Sequence, residues 1–129
     1  CDIGAFEYVV TPENDNFNNP KDIFSLPYED GIDTTYATVS DDDPEIGLCN
    51  ISGSGVSTVW YKYEPITDTA VSVDTFEADY DTFIAVWEGT DINDLRFVAC
   101  NDDTGGTKQS AVAIRVTGGK TYYIEIGQP

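Results

Sequence analysis

The sequence predicts an all-β sandwich, and three observations carry that expectation. Val and Ile together number 22 and Thr adds 14, while Leu contributes only three; β-branched residues favour strands, whereas helical proteins lean on Leu and Ala. Short apolar runs recur between turn signals at sandwich-like spacing. No stretch sustains the periodicity of an amphipathic helix.

Cys1–Val10 reads as an extra N-terminal strand, with Ile3, Ala5, Val9 and Val10 apolar and Phe6 and Tyr8 on the other register. A polar, Asn-rich linker, Thr11–Pro20, follows and either wraps the sandwich or hangs free. We divide the chain into 1–12, the N-terminal strand and linker, and 13–129, the sandwich. Asp22–Phe24 and Thr34–Val39 are weaker strands. Thr58–Glu64 alternates, placing Val59, Tyr61 and Tyr63 on one face and Thr58, Trp60 and Lys62 on the other. Ala70–Phe76 sets Val71 and Val73 opposite Ser72 and Asp74. Thr82–Glu88 is apolar on both faces, as a central strand is. Phe97–Cys100 is short and apolar, and Ala111–Val116 points Val112, Ile114 and Val116 one way. Thr121–Ile126 points Tyr122, Ile124 and Ile126 inward and Thr121, Tyr123 and Glu125 outward. Turns are expected at Pro65–Thr69, Glu88–Asp94, Asn101–Lys108 and Gly118–Gly119.

Composition narrows the chemistry. The chain of 129 residues is one domain's worth, large enough for its own core. It holds no histidine, so Ser-His-Asp, Cys-His and His-metal mechanisms are excluded and only carboxylate chemistry remains. It holds no methionine either, and a processed product or a fragment is expected. No apolar run approaches the roughly 20 residues of a membrane helix. A net charge of −18 repels nucleic acid and anionic membranes and favours cations or neutral surfaces as partners. Cys1, Cys49 and Cys100 are spaced too widely for a zinc knuckle. A Cys49–Cys100 disulfide with Cys1 left over fits a secreted protein best. Closing that loop of about 50 residues is worth roughly 4 kcal/mol in the chain-entropy account.

Four phrases occur in order: Asn14-Asp15-Asn16-Phe17, Thr58-Val59-Trp60-Tyr61-Lys62-Tyr63, Asp79-Tyr80-Asp81-Thr82-Phe83 and Ala99-Cys100-Asn101-Asp102-Asp103. Together they resemble the bacterial pre-peptidase C-terminal (PPC-like) domain family over roughly Glu13 to Gly127. The resemblance implies an antiparallel, jelly-roll-like sandwich of about eight strands, non-catalytic and appended to secreted enzymes or surface proteins. It implies calcium near the start of the domain, as in collagen-binding relatives, and a cysteine before the Val59-Trp60-Tyr61 strand, Cys49, paired with Cys100 inside the fourth phrase. The opening Cys1-Asp2-Ile3-Gly4-Ala5-Phe6-Glu7-Tyr8 is similar to the closing segment of secreted right-handed parallel β-helix proteins.

Two groups supply the oxygen ligands that calcium needs. Glu13, Asn14 and Asp15 fall where the calcium-binding relatives carry acidic ligands, with Asp30 or Asp33 as further donors. Asp79 and Asp81 with Asp102 and Asp103 lie on two loops flanking adjacent strands, and gathering four carboxylates without a cation costs several kcal/mol. Among the aromatics, Trp60 and Tyr123 sit on the more polar faces of their strands and are the expected stacking surface. The functional expectation is a non-catalytic, secreted structural subunit of a cell-surface assembly or fibre. It is calcium-stabilised and self-associates as Cys1–Val10 adds to the open sheet edge of a neighbour. The rival expectation is a module that carries a hydrolase to a polymer such as collagen, chitin or cell wall; a third is an inert spacer in an adhesin.

Overall fold

The computed structural model describes residues 12–31, 37, 56–76, 78, 81–102 and 109–128. Seven strands are described: β1 (Lys21–Ile23), β2 (Val56–Tyr63), β3 (Thr69–Asp74), β4 (Phe83–Glu88), β5 (Arg96–Asn101), β6 (Ala111–Val116) and β7 (Tyr122–Gln128). They form a five-stranded sheet, ordered β1-β2-β7-β4-β5, and a two-stranded sheet of β3 and β6. The two sheets face each other as a β-sandwich, as the β-branched composition required. The one 3-10 turn among the described residues, Ile92–Asp94, is capped by Asp91, whose side chain accepts from the Asn93 amide. Of the expected strands, Cys1–Val10 lies outside the described residues, as does Thr34–Val39 apart from Ala37, which packs against the core.

Pairing departs from the expected antiparallel pattern at one place. β2–β7, β7–β4, β4–β5 and β3–β6 are antiparallel, but β1 runs parallel to β2, with Lys21 opposite Tyr61 and Ile23 opposite Tyr63. A parallel neighbour needs a long connection, and residues 24–55 provide it.

Two apolar clusters lie on opposite faces of the larger sheet. Between the sheets, Val59, Tyr61, Ile84, Val86, Tyr122 and Ile124 meet Val112, Ile114 and Val116 of β6, with Val71 and Val73 of β3 alongside. The outer face carries Trp60, Phe83, Ala85, Trp87 and Tyr123, closed over by Phe17 and flanked by Ile92 and Leu95. This corrects the outward placement of Trp60, Tyr123 and Glu125. Trp60 and Glu125 are fully buried and Tyr123 is 7% exposed: the linker seats Phe17 against Trp60 and Tyr123, and Glu125 accepts from the Trp87 indole N–H. β4 is accordingly buried on both faces, as its unbroken apolar run implied.

The turns tie the sheets together at one end. The Gly118 amide donates to Asp68 Oδ1 at 2.8 Å and the Gly119 amide to the Pro65 carbonyl at 2.9 Å. Gly119 has φ of +86°, a left-handed conformation in which glycine carries no Cβ penalty.

Candidate functional site

The N-terminal linker is built as a clamp on the β2 edge. Its turns are closed by Asp15 N–H to the Pro12 carbonyl and Asn19 N–H to the Asn16 carbonyl. Asn14, fully buried, holds the Trp60 peptide from both sides. Its carbonyl accepts from the Trp60 amide and its Nδ2 donates to the Trp60 carbonyl, both at 2.9 Å. That pair of bonds imitates a strand rung just before β1 takes over the edge. Phe17 then lies edge-on to Trp60, centroids 5.3 Å apart, and tilted on Tyr123 at 4.3 Å.

This geometry disperses the first calcium group. Glu13 is exposed, Asn14 holds a peptide and Asp15 is buried. Asp30, the further donor, accepts instead from Lys21 Nζ at 3.0 Å and from the Tyr61 hydroxyl at 2.8 Å. Burial, reinforced by the bond to Asp30, pushes the Tyr61 phenol far above its ordinary range. The same carboxylate raises the Lys21 ammonium, chiefly through their hydrogen bond. A cation among these residues would compete with Lys21 for Asp30, so Glu13, Asn14, Asp15 and Asp30 do not fit calcium. Asp33 lies outside the described residues.

The second group sits at the opposite end of the sandwich from the Gly118–Gly119 turn. Ser110 Oγ donates to the Thr82 carbonyl at 2.7 Å and also contacts the Asp102 carbonyl, so the Asp81 and Asp102 loops are tied to one hydroxyl. Asn101 Oδ1 accepts from the Ala111 amide, and Thr75 Oγ1 accepts from the Ser110 amide. Ser110 thus links the main chain at Thr82 to that at Asp102. Asp79 and Asp103 lie outside the described residues. Among the described residues, no three carboxylate or thiol groups converge to hold a metal ion.

The expected stacking surface of Trp60 and Tyr123 is core, for the reason given above. Among the described residues the exposed aromatics are instead Phe24 (88% exposed), Phe76, Phe97 and Tyr28. Phe24 and Tyr28 help line a shallow cleft of about 590 Å³ with Glu13, Asn19, Lys21 and Asp22. Phe24 closes the expected Asp22–Phe24 strand but lies just past β1, and its exposure is not encoded in local alternation.

Charge is unevenly arranged. Lys21, Lys62 and Lys120 each lie within 4.0 Å of a carboxylate. Arg96 and Arg115 are exposed and make no ion pair among the described residues. They open β5 and nearly close β6, two edge strands in mutual contact. Asn101 meets Ala111 at the loop end of that pair, so both arginines lie toward the far end. Sequence reading missed this, since which cations lack partners depends on the fold. The expected assembly residues Ile3, Ala5, Phe6, Tyr8, Val9 and Val10 lie outside the described residues, as does Cys49. No helix among the described residues is long and apolar enough to cross a membrane. No known family, no curated protein and no solved structure matches the chain.

Proposed function

We propose that this chain is a non-catalytic structural module of a secreted, cell-surface assembly, related to the PPC-like sandwiches, that joins copies through its N-terminal strand. The observation that carries this reading is the burial of the aromatic residues on both faces of the larger sheet. A module of this size that recognises polymers by stacking needs several rings in one exposed row, and here Trp60, Trp87 and Tyr123 are core. The lack of histidine speaks against catalysis by His-based machinery. The charge of −18 speaks against nucleic acid as partner. The bonded state of the Cys100 sulfur supports the pairing with Cys49. Calcium belongs to this reading at Asp79, Asp81, Asp102 and Asp103, where Ser110 already draws two loops together.

The exposed Phe24 and Tyr28 beside Asn19 and Asp22 favour a second reading, a module that binds a carbohydrate or collagen-like polymer. Light scattering over a concentration series, with retention on a panel of insoluble polymers, separates the two. The structural module grows in mass with concentration and passes through the panel. A monomer retained on one polymer, and lost from it in Phe24→Ala, would replace the first reading with the second.

A further inference from the structure

We infer that the β5 edge is the acceptor for Cys1–Val10 of a second copy. The inference rests on the self-association proposed above and specifies its geometry.

Both apolar clusters run out at β5. Val98 and Ala99 border the cluster between the sheets, while Cys100 borders the outer one. Phe97 stands 37% exposed beside Trp87, ring centroids 5.7 Å apart. A strand added here extends both clusters at once and therefore has to be apolar on both faces. Cys1–Val10 carries apolar residues on both registers, Ile3, Ala5 and Val9 on one and Phe6, Tyr8 and Val10 on the other, with Glu7 and Asp2 as the single charge on each.

Charge agrees with this edge. Asp2 and Glu7 are the charged residues of the donor segment, and β5 opens on Arg96, a cation with no ion pair among the described residues. Opposite charges across a strand pair stabilise it and like charges destabilise it. The β1 edge is only three residues long, and Lys21 and Asp22 are already in ion pairs. The β3 edge ends on Asp74 and follows Asp68, with no cation in the strand. Arg115 gives the β6 edge a like cation, but only the Val112, Ile114 and Val116 face of β6 joins an apolar cluster, so β6 does not offer two clusters to extend.

Reach favours a second copy over the same chain. Pro12 and Asn14 sit at the β2 edge, three strand positions from β5, which at about 4.8 Å per strand is roughly 14 Å. A strand folding back would use about four of its residues merely to cross, over a face that Phe17, Ile92 and Leu95 already cover. In a second copy the whole segment is available, and ten extended residues span about 33 Å against the six residues of β5.

The test is hydrogen exchange on the full chain over a concentration series, with sedimentation velocity on the same samples. Self-association accompanied by new protection at Arg96–Ala99, and not at Thr69–Asp74 or Lys21–Ile23, is the expected result. Arg96→Glu weakens association about tenfold, and Glu7→Arg in the same chain restores it. Near-ultraviolet circular dichroism confirms that each variant is folded. Self-association with protection at β1, β3 or β6 in place of β5 overturns this inference and leaves the proposed function standing. Protection of β5 that does not vary with concentration overturns it in favour of a strand folded back within one chain. A monomer at every concentration overturns both.

Discussion

Phe17→Ala probes how a polar, Asn-rich segment becomes the cover of an apolar sheet face. Phe17 is 6% exposed and touches two rings, Trp60 and Tyr123. Truncating a buried Phe costs about 3–5 kcal/mol, and the lower end applies where the surroundings relax into the space. Phe17 lies on an irregular segment anchored mainly by Asn14, so the expected loss is about 3 kcal/mol. Each aromatic contact accounts for roughly 0.5–1.5 kcal/mol of it. For a domain of this length the melting temperature falls by about 10 °C. Trp60, fully buried in the native chain, becomes partly wet, so the variant's tryptophan emission shifts to the red while still folded. Thermal unfolding followed by fluorescence reads both effects. A loss below about 1 kcal/mol with unchanged emission would mean that residues 12–20 do not form the outer cover, and the account of the second core would fail.

Other predictions follow from the same geometry. Asn14→Ala leaves the Trp60 carbonyl buried without its side-chain donor and lowers stability by about 1–3 kcal/mol in urea unfolding; an unchanged midpoint contradicts the clamp. The Tyr61 phenol is raised in the folded chain, chiefly by burial and then by Asp30. Its contribution is therefore complete below the unfolded value near 10 and is lost as pH rises above it, because the unfolded chain releases its proton first. Tyr61→Phe consequently shows a shallower fall in stability between roughly pH 10 and 12, and an identical slope in both proteins refutes the assignment. Removing calcium with a chelator lowers the melting temperature, and Asp81→Asn with Asp102→Asn abolishes that response while Glu13→Gln preserves it. Indifference to the chelator removes calcium from the account.

Alternation made one face of each strand legible and left the other undetermined. Val59, Tyr61, Ile124 and Ile126 belong to the inner cluster or pack against it, and the apolar run of β4 announced burial on both sides. Trp60, Tyr123 and Glu125 were misread because period two separates faces without saying whether the second face is covered. The cover comes from Phe17, more than 40 positions from Trp60, in a stretch whose composition reads as solvent-exposed. Glu125 shows the consequence most sharply: a carboxylate expected in water lies buried opposite Ala85, accepting from Trp87 Nε1 at 3.2 Å. The parallel entry of β1 has a similar origin, since direction depends on the long connection after it and not on Lys21–Ile23. Near the acidic phrases, Ser110 bonds the main chain at Thr82 and Asp102, a link that no acidic residue in the sequence signals. At Asn14 an oxygen-rich residue type that reads as a ligand holds the Trp60 main chain.

Sedimentation velocity on the full chain beside the chain lacking Cys1–Val10 tests the central claim most directly. The account predicts concentration-dependent oligomers for the full chain and a folded monomer for the truncated one. Equal oligomers in both, or monomers in both, would contradict assembly through the N-terminal strand.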